Sequence, residues 1–208
     1  LSALRNTAAQ IKRTLTTPQN TLSLVSGFIP EKQVWVGAYQ QPLIETIPAF
    51  LQDVDSRNLR FALTALSSIE TAIRDYTAQF DRKRLAIILG TSTSGIADNE
   101  KLLKQYFLNQ ADVEVQHCKQ EMGSLAKALQ MYLDWEGPAY TISTACSSSA
   151  KAMAAGQRLI NADLADAVLV GGVDSLCQLT LNGFDSLESL SNDLCQPCGA
   201  QRDGINIG

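Results

Sequence analysis

One cysteine in this chain stands where covalent chemistry is easily done. Tyr140-Thr141-Ile142-Ser143-Thr144 reads as a short β run, Cys146 follows at once, and Ser147 to Ile160 reads as an Ala-rich helix with no proline. A thiol wedged between a strand end and a helix start meets the unpaired N–H groups of the first helical turn and the positive end of the helix dipole. Both stabilise a thiolate. The same N–H groups can hold the oxyanion that forms when a thiolate attacks a carbonyl. Ala145 and Ser147 to Ser149 are small enough for the tight turn that this requires. The competing reading is an ordinary packed thiol, because free cysteine is among the most buried residue types.

Other chemistry-bearing residues carry less. His117, the only histidine, lies in a polar stretch beside Cys118 and reads as an exposed loop residue. A metal site would need more ligands than this chain offers. Cys195-Gln196-Pro197-Cys198 has the spacing of half a zinc ribbon, but no second pair exists, so the two cysteines read as structural. The Gly- and Ser-rich segment Gly90 to Gly95 could cradle phosphate. It lacks the lysine of a P-loop and the spacing of a dinucleotide fingerprint. The expectation is therefore no metal and no cofactor.

The elements that must position Cys146 follow from apolar patterning. Ala167 to Val170 is an apolar run ending in Gly171-Gly172, so strand, cysteine, helix and strand make a parallel βαβ unit. The cysteine then sits at the carboxyl end of its strand, the edge at which open α/β sheets bind ligands. Leu85 to Leu89 reads as a further buried strand, and Gln33 to Gly37 alternates as a strand or edge piece. Arg57 to Phe80 reads as one long helix, with Phe61, Leu63, Leu66, Ile69, Ile73 and Tyr76 at helical spacing and Asp55 or Ser56 as its cap. Helices are also expected from Leu4 to about Leu15, from Asn99 to Phe107 and from Lys119 to Leu133. Thr16 to Pro30, punctuated by Pro18 and Pro30, reads as loop, and Pro42 to Phe50 as a short apolar connector. Strands alternating with helices predict an α/β fold with a mainly parallel sheet and helices on both faces.

Composition bounds the function. The chain's 208 residues, 45% apolar and 18% charged, can bury a proper core as one globular domain. No apolar run approaches the roughly 20 residues of a membrane span, and no basic-then-apolar signal peptide opens the chain. A net charge of −4 argues against nucleic acid as a main partner. Five unevenly spaced cysteines, without a secretory signal, suit reduced thiols in a cytoplasm.

The ordered set GPAYTISTACSSSA, DAVLVGGVDSL, NGFDSLESLS and RDGINIG resembles the β-ketoacyl-[acyl-carrier-protein] synthases, the condensing enzymes of fatty-acid and polyketide assembly. The resemblance covers nearly all of this chain but about the first half of the family's usual length. It implies a thiolase-like fold, of which this is one half of an αβαβα architecture. It implies Cys146 as the acyl-accepting nucleophile and no cofactor. Thr93 stands where many relatives place a pocket-gating residue, and Phe184 is implied to line the acyl pocket, an ordinary core aromatic being the alternative. In DSRNLRF, the resemblance offers Arg57 and Arg60 for docking the acidic acyl carrier protein. On sequence alone a solvated pair of arginines is the better reading.

The resemblance also implies a homodimer, in which the strand at about Tyr140 to Ser143 pairs across the two-fold axis. It places a central strand ahead of Leu1 and a second half beyond Gly208, so residues 1–208 are expected to be an N-terminal β-ketoacyl synthase domain. In relatives two histidines (a His and a Cys in some) and a lysine from that second half hold the malonyl-derived enolate. Removing one such donor costs about 2.7–4 kcal/mol of transition-state stabilisation, so these 208 residues alone are expected to show negligible condensation. Two other classes compete. One is a non-catalytic partner subunit, in which the resemblance implies that the nucleophilic cysteine is typically replaced, or an incomplete fragment, which the absent histidines favour. The other is a thiolase-type degradative enzyme, which would share the fold. Retention of Cys146 favours the enzyme, and TACSSSA with NGFDSLESLS fits the synthase branch better than the thiolases.

Overall fold

In a computed structural model of the chain, residues 7–17, 20–108 and 114–208 are described. In chain order the elements are α1 (Ala8–Thr16), β1 (Ser23–Ile29), β2 (Lys32–Val36), α2 (Arg57–Ser67) and α3 (Glu70–Thr77). There follow β3 (Leu85–Gly90), α4 (Ile96–Phe107), α5 (His117–Gln120), α6 (Ser124–Leu133), β4 (Ala139–Ile142), α7 (Ser148–Asn161), β5 (Ala167–Gly172) and α8 (Gln178–Ser186). They fall into two compact units, one of residues 43–175 and one of residues 1–42 with 176–208.

The 43–175 unit is built on a three-stranded parallel sheet in the order β4-β3-β5. Ile87 pairs with Ala139 on one side and with Leu169 on the other. All six residues of β3 are buried, because both faces of the sheet are covered. Leu85, Ile87 and Leu89 enter a core shared with Leu59, Leu63 and Leu66 of α2 and with Leu125, Leu129 and Leu133 of α6. Ile88 points the other way and packs with Ala152 and Ala155 of α7 and Val168 and Val170 of β5. The expected α/β class and mainly parallel sheet with helices on both faces are what this unit has.

The helical expectations needed correction where polar side chains intervene. The single helix expected from Arg57 to Phe80 is two helices. At the break the Ser67 and Ser68 hydroxyls bond back to the carbonyls of Thr64 (2.9 Å) and Ala65 (2.7 Å), competing with the backbone ladder. Ser56 rather than Asp55 is the cap of α2, its Oγ accepting from the Leu59 N–H at 3.1 Å. The helix expected from Lys119 to Leu133 is also interrupted, where the Ser124 hydroxyl turns back to the Glu121 carbonyl at 2.7 Å. His117 begins the short α5 instead of lying in a loop, and it is exposed. At the other end of the chain, Thr7 caps α1 in a reciprocal capping box with Gln10. The start of that helix at Leu4, and Pro18 in the following segment, lie outside the described residues.

The other unit holds a β1–β2 antiparallel hairpin. Strand β1 lies inside the stretch expected to be loop. Its alternation is broken by an irregularity between Val25 and Ile29, at Gly27 with φ +92°, and a bulge there destroys the period of two by which strands are read. Ile29, Val34 and Val36 form a small core with Leu181 of α8 and with Leu190. Ile205 and Ile207 add parallel bridges to Leu190 and Val36. Among the described residues no helix is long and apolar enough to cross a membrane.

Candidate functional site

Cys146 lies between the end of β4 and the start of α7, as the sequence predicts, and it is exposed. The chain reverses just before it, at Ala145, whose φ of +51° is left-handed. A residue with a Cβ pays roughly 1–2 kcal/mol for that conformation, so neighbours must hold it there. They are Ser147 and Ser148. The Ser148 hydroxyl accepts from the Thr144 N–H at 2.9 Å and donates to the Ala145 carbonyl at 2.6 Å. The Ser147 hydroxyl donates to the Thr144 carbonyl at 2.9 Å. The small residues after the cysteine therefore bind the turn together as well as fitting into it.

Two glycines let the first turn of α7 reach the carboxyl edge of the sheet. A Cβ on Gly90, the last residue of β3, would lie 2.6 Å from both the Ser148 carbonyl carbon and the Ser149 nitrogen. A Cβ on Gly172, the last residue of β5, would lie 1.9 Å from the Ser149 hydroxyl oxygen. Gly90 and Gly172 are direct partners across β3 and β5, so together they form a notch that receives the helix start. Further along α7, Gly156 brings the helix onto Val168 and Val170.

Beside this notch lies a polar network. Asp174 Oδ1 accepts from the N–H groups of Ser92 (2.7 Å) and Thr93 (3.0 Å) and from the hydroxyls of Thr91 (3.1 Å) and Thr93 (3.0 Å). The Thr91 hydroxyl also accepts from Asn58 Nδ2 at 3.1 Å, and the same Asn58 amide donates to the Val173 carbonyl at 3.1 Å.

The remaining residues singled out from the sequence fall as follows. Thr93 is buried, its hydroxyl held between Asp174 and the Ser175 N–H at 3.1 Å. Arg57 is exposed, with its guanidinium carbon 5.0 Å from the Phe61 ring centroid. Arg60 is engaged by Asp55 and by the carbonyls of Ile44 and Glu45. Phe184 belongs to the other unit, half-buried against the small core around Leu181. All five cysteines are free; Cys195 donates to the Gly204 carbonyl at 3.0 Å, and Cys198 is exposed. Asn58, in DSRNLRF, and Asp174, in DAVLVGGVDSL, carry little mark of this network in the sequence. Their only signal was the run Thr91-Ser92-Thr93 after one strand and an acid just past the Gly-Gly of another.

An exposed thiol at a helix start on the carboxyl edge of a parallel sheet is arranged to take a group from an activated carbonyl. The family model of the β-ketoacyl synthase N-terminal domain matches residues 44–208. The chain belongs to the β-ketoacyl synthase family. Among curated relatives, nodulation protein E of Rhizobium sp. (strain N33) is 27% identical over 175 residues, which are 79% of this chain and 43% of that protein. The chloroplastic 3-oxoacyl-[acyl-carrier-protein] synthase II of Arabidopsis thaliana is 29% identical over 165 residues, 72% of this chain and 30% of that one. Among solved structures, a ketosynthase in complex with its chain length factor from Xenorhabdus doucetiae superposes with a TM-score of 0.93 at 39% identity. That match covers 100% of this chain and 53% of its counterpart. The fold is the thiolase-like one of the β-ketoacyl synthases, and the chain spans about half the length of the solved chain that it matches and less than half of these curated relatives.

Proposed function

We propose that this chain carries the acyl-accepting part of a β-ketoacyl synthase. In this reading Cys146 takes an acyl group from a carrier-protein thioester. The acyl-enzyme is then condensed with malonyl-acyl carrier protein, with loss of CO₂, in fatty-acid or polyketide biosynthesis. The observation that carries the reading is the exposed Cys146 at the start of α7, presented by the left-handed turn at Ala145. Its thiolate attacks the thioester carbonyl, helix N–H groups are suited to the tetrahedral oxyanion, and collapse expels the carrier's thiolate to leave the acyl group on Cys146. Residues 1–208 act as the N-terminal domain of the synthase, with the enolate-binding groups supplied by its other half. By the family resemblance we assign Thr93 and Phe184, each on its own, to acyl recognition, and Arg57 and Arg60 to docking of the acidic carrier. The five free thiols suit a cytoplasmic setting.

A second reading has one observation in its favour. The solved complex with a chain 39% identical to this one holds a ketosynthase and its chain length factor, and in this second reading the chain belongs to the partner subunit of such a heterodimer. Intact-mass spectrometry after incubation of the full-length polypeptide with an acyl-carrier thioester separates the two, with peptide mapping and a Cys146→Ala control. An acyl adduct on the Cys146 peptide, lost in the variant, supports the synthase. Adducts found only on the other exposed cysteines, Cys118 and Cys198, or none at all, would leave the partner-subunit reading standing.

A further inference from the structure

We propose that Asp174 is the positioning residue of the nucleophile turn, fixing from the end of β5 the strand ends against which Cys146 is seated. The inference rests on the reading of Cys146 as acyl acceptor. A single oxygen of Asp174 gathers four donors from Thr91, Ser92 and Thr93, and among the described residues no lysine or arginine pairs with it. Its charge is therefore held by N–H and O–H dipoles alone, and bonds to an ionised acceptor are the strong ones. The Thr91 hydroxyl donates to Asp174 and accepts from Asn58 Nδ2 and from the Ser94 N–H at 3.0 Å, so its hydrogen-bonding capacity is filled.

The loop fixed in this way is tied by its main chain to the rest of the site. The Thr91 N–H donates to the carbonyl of Ile142, the last residue of β4 and the lead into the Cys146 turn, at 3.2 Å. The Val173 N–H donates to the Gly90 carbonyl at 3.0 Å, and Gly90 is the residue on which the first turn of α7 rests. One carboxylate thus joins the carboxyl ends of β3, β4 and β5 at the place where a displacement of the thiol by an ångström lowers its rate. Because all four bonds fall on Oδ1, an asparagine can offer its one carbonyl oxygen in the same place. Alanine cannot, which makes Asp174→Asn the conservative variant and Asp174→Ala the deletion.

The test uses the full-length polypeptide and compares wild type, Asp174→Ala and Asp174→Asn. It measures acylation of Cys146 as a function of acyl-carrier concentration, and amide exchange in the peptide spanning residues 90–95. A thermal melt of each variant corrects the rates for the folded fraction. In Asp174→Ala the amides of Ser92 and Thr93 should exchange roughly tenfold faster or more. The acylation rate constant should fall roughly tenfold, with half-saturation changed by less than about twofold. Asp174→Asn should recover most of both. Acylation by Asp174→Ala at the wild-type rate, a loss explained by unfolding alone, or equal losses in both variants would overturn the proposal. If wild-type Cys146 takes no acyl group, the acyl-acceptor reading fails by itself. Exchange at Ser92 and Thr93 then judges the clamp, faster exchange in Asp174→Ala supporting it and unchanged exchange overturning it.

Discussion

The guanidinium of Arg60 closes on both carboxylate oxygens of Asp55, through Nε at 2.8 Å and Nη2 at 2.6 Å. Its remaining Nη reaches back to the carbonyls of Ile44 (2.9 Å) and Glu45 (2.7 Å). The hydrogen bonding that Arg60 donates to Asp55 is the main cause that raises the Arg60 pKa, against a smaller opposing effect of burial. This arginine fastens the connector before α2 onto the helix. Arg60→Ala should destabilise the protein by about 1–3 kcal/mol, as expected for charge-assisted bonds at a partly exposed site. Arg60→Lys should restore little, because an ammonium cannot reproduce the two-pronged geometry. Denaturant titration decides; a loss below about 0.5 kcal/mol would show the clamp to be incidental.

Arg57, one turn earlier on the same helix, has the opposite profile. Its side chain lies over the Phe61 ring, an interaction worth roughly 0.5–1 kcal/mol at an exposed site. Arg57→Ala should therefore leave the melting temperature nearly unchanged while weakening binding of an acyl carrier protein, and more strongly at low salt than at high. Titration of the variant with carrier protein at two ionic strengths is the measurement. Unaltered carrier binding at low salt would remove Arg57 from the docking surface.

Gly90→Ala places a methyl group 2.6 Å from backbone atoms of Ser148 and Ser149, which cannot swing aside as a flexible side chain would. Overpacking of this kind costs about 1–3 kcal/mol, and here the strain falls on the turn that presents Cys146. The variant should lose both thermal stability and Cys146 acylation. Full acylation in a folded Gly90→Ala protein would show that the helix start tolerates displacement.

Asp203 supplies a pH dependence. The Ser191 hydroxyl donates to its Oδ1, and the Asn192 N–H to its Oδ2 at 3.1 Å. The Ser191 bond first, and then the Asn192 bond, hold its carboxyl below the usual carboxylate range. A folded-state pKa below the unfolded one means that the stabilisation is complete above the ordinary value of about 4 and is lost as pH falls through the lower folded value. The backbone amide resonance of Asn192 should titrate with its midpoint below that ordinary value, and the transition should vanish in Asp203→Asn. A midpoint at or above about 4 would contradict the assignment.

How much of this was legible in the sequence varies by element. Strand β3 was plain because it is apolar on both faces, and β4, α7 and β5 were plain because strand, small-residue turn and Ala-rich helix follow one another without interruption. Strand β1 was hidden by the bulge at Gly27. Helix α8 was hidden by Asn182 and Gly183, which are weak helix formers. What holds α8 is tertiary: Leu181 is buried, and the Asn182 amide donates to the Phe28 carbonyl at 2.8 Å. Cys146 could be found because its chemistry depends on local chain direction. Asp174 could not, because its donors lie up to 83 residues earlier and are partly backbone groups, which leave no mark in side-chain patterning. Arg57 and Arg60 look alike in the sequence. They part company only when Asp55, Ile44 and Glu45 are folded around one of them.

The notch formed by Gly90 and Gly172 also bears on how the sheet comes to align during folding. A strand buried on both faces has no polar side of its own to punish a slip, so the register of β3 must be marked by what adjoins it. Slippage by one position would bring Leu89 or Thr91 to the place of Gly90, and either side chain would collide with the backbone of Ser148 and Ser149. Helix α7 can dock only on the correctly aligned strands. The helix that carries the thiol thereby fits only one register, and a thiol in working position is a report that the sheet beneath it is correctly aligned.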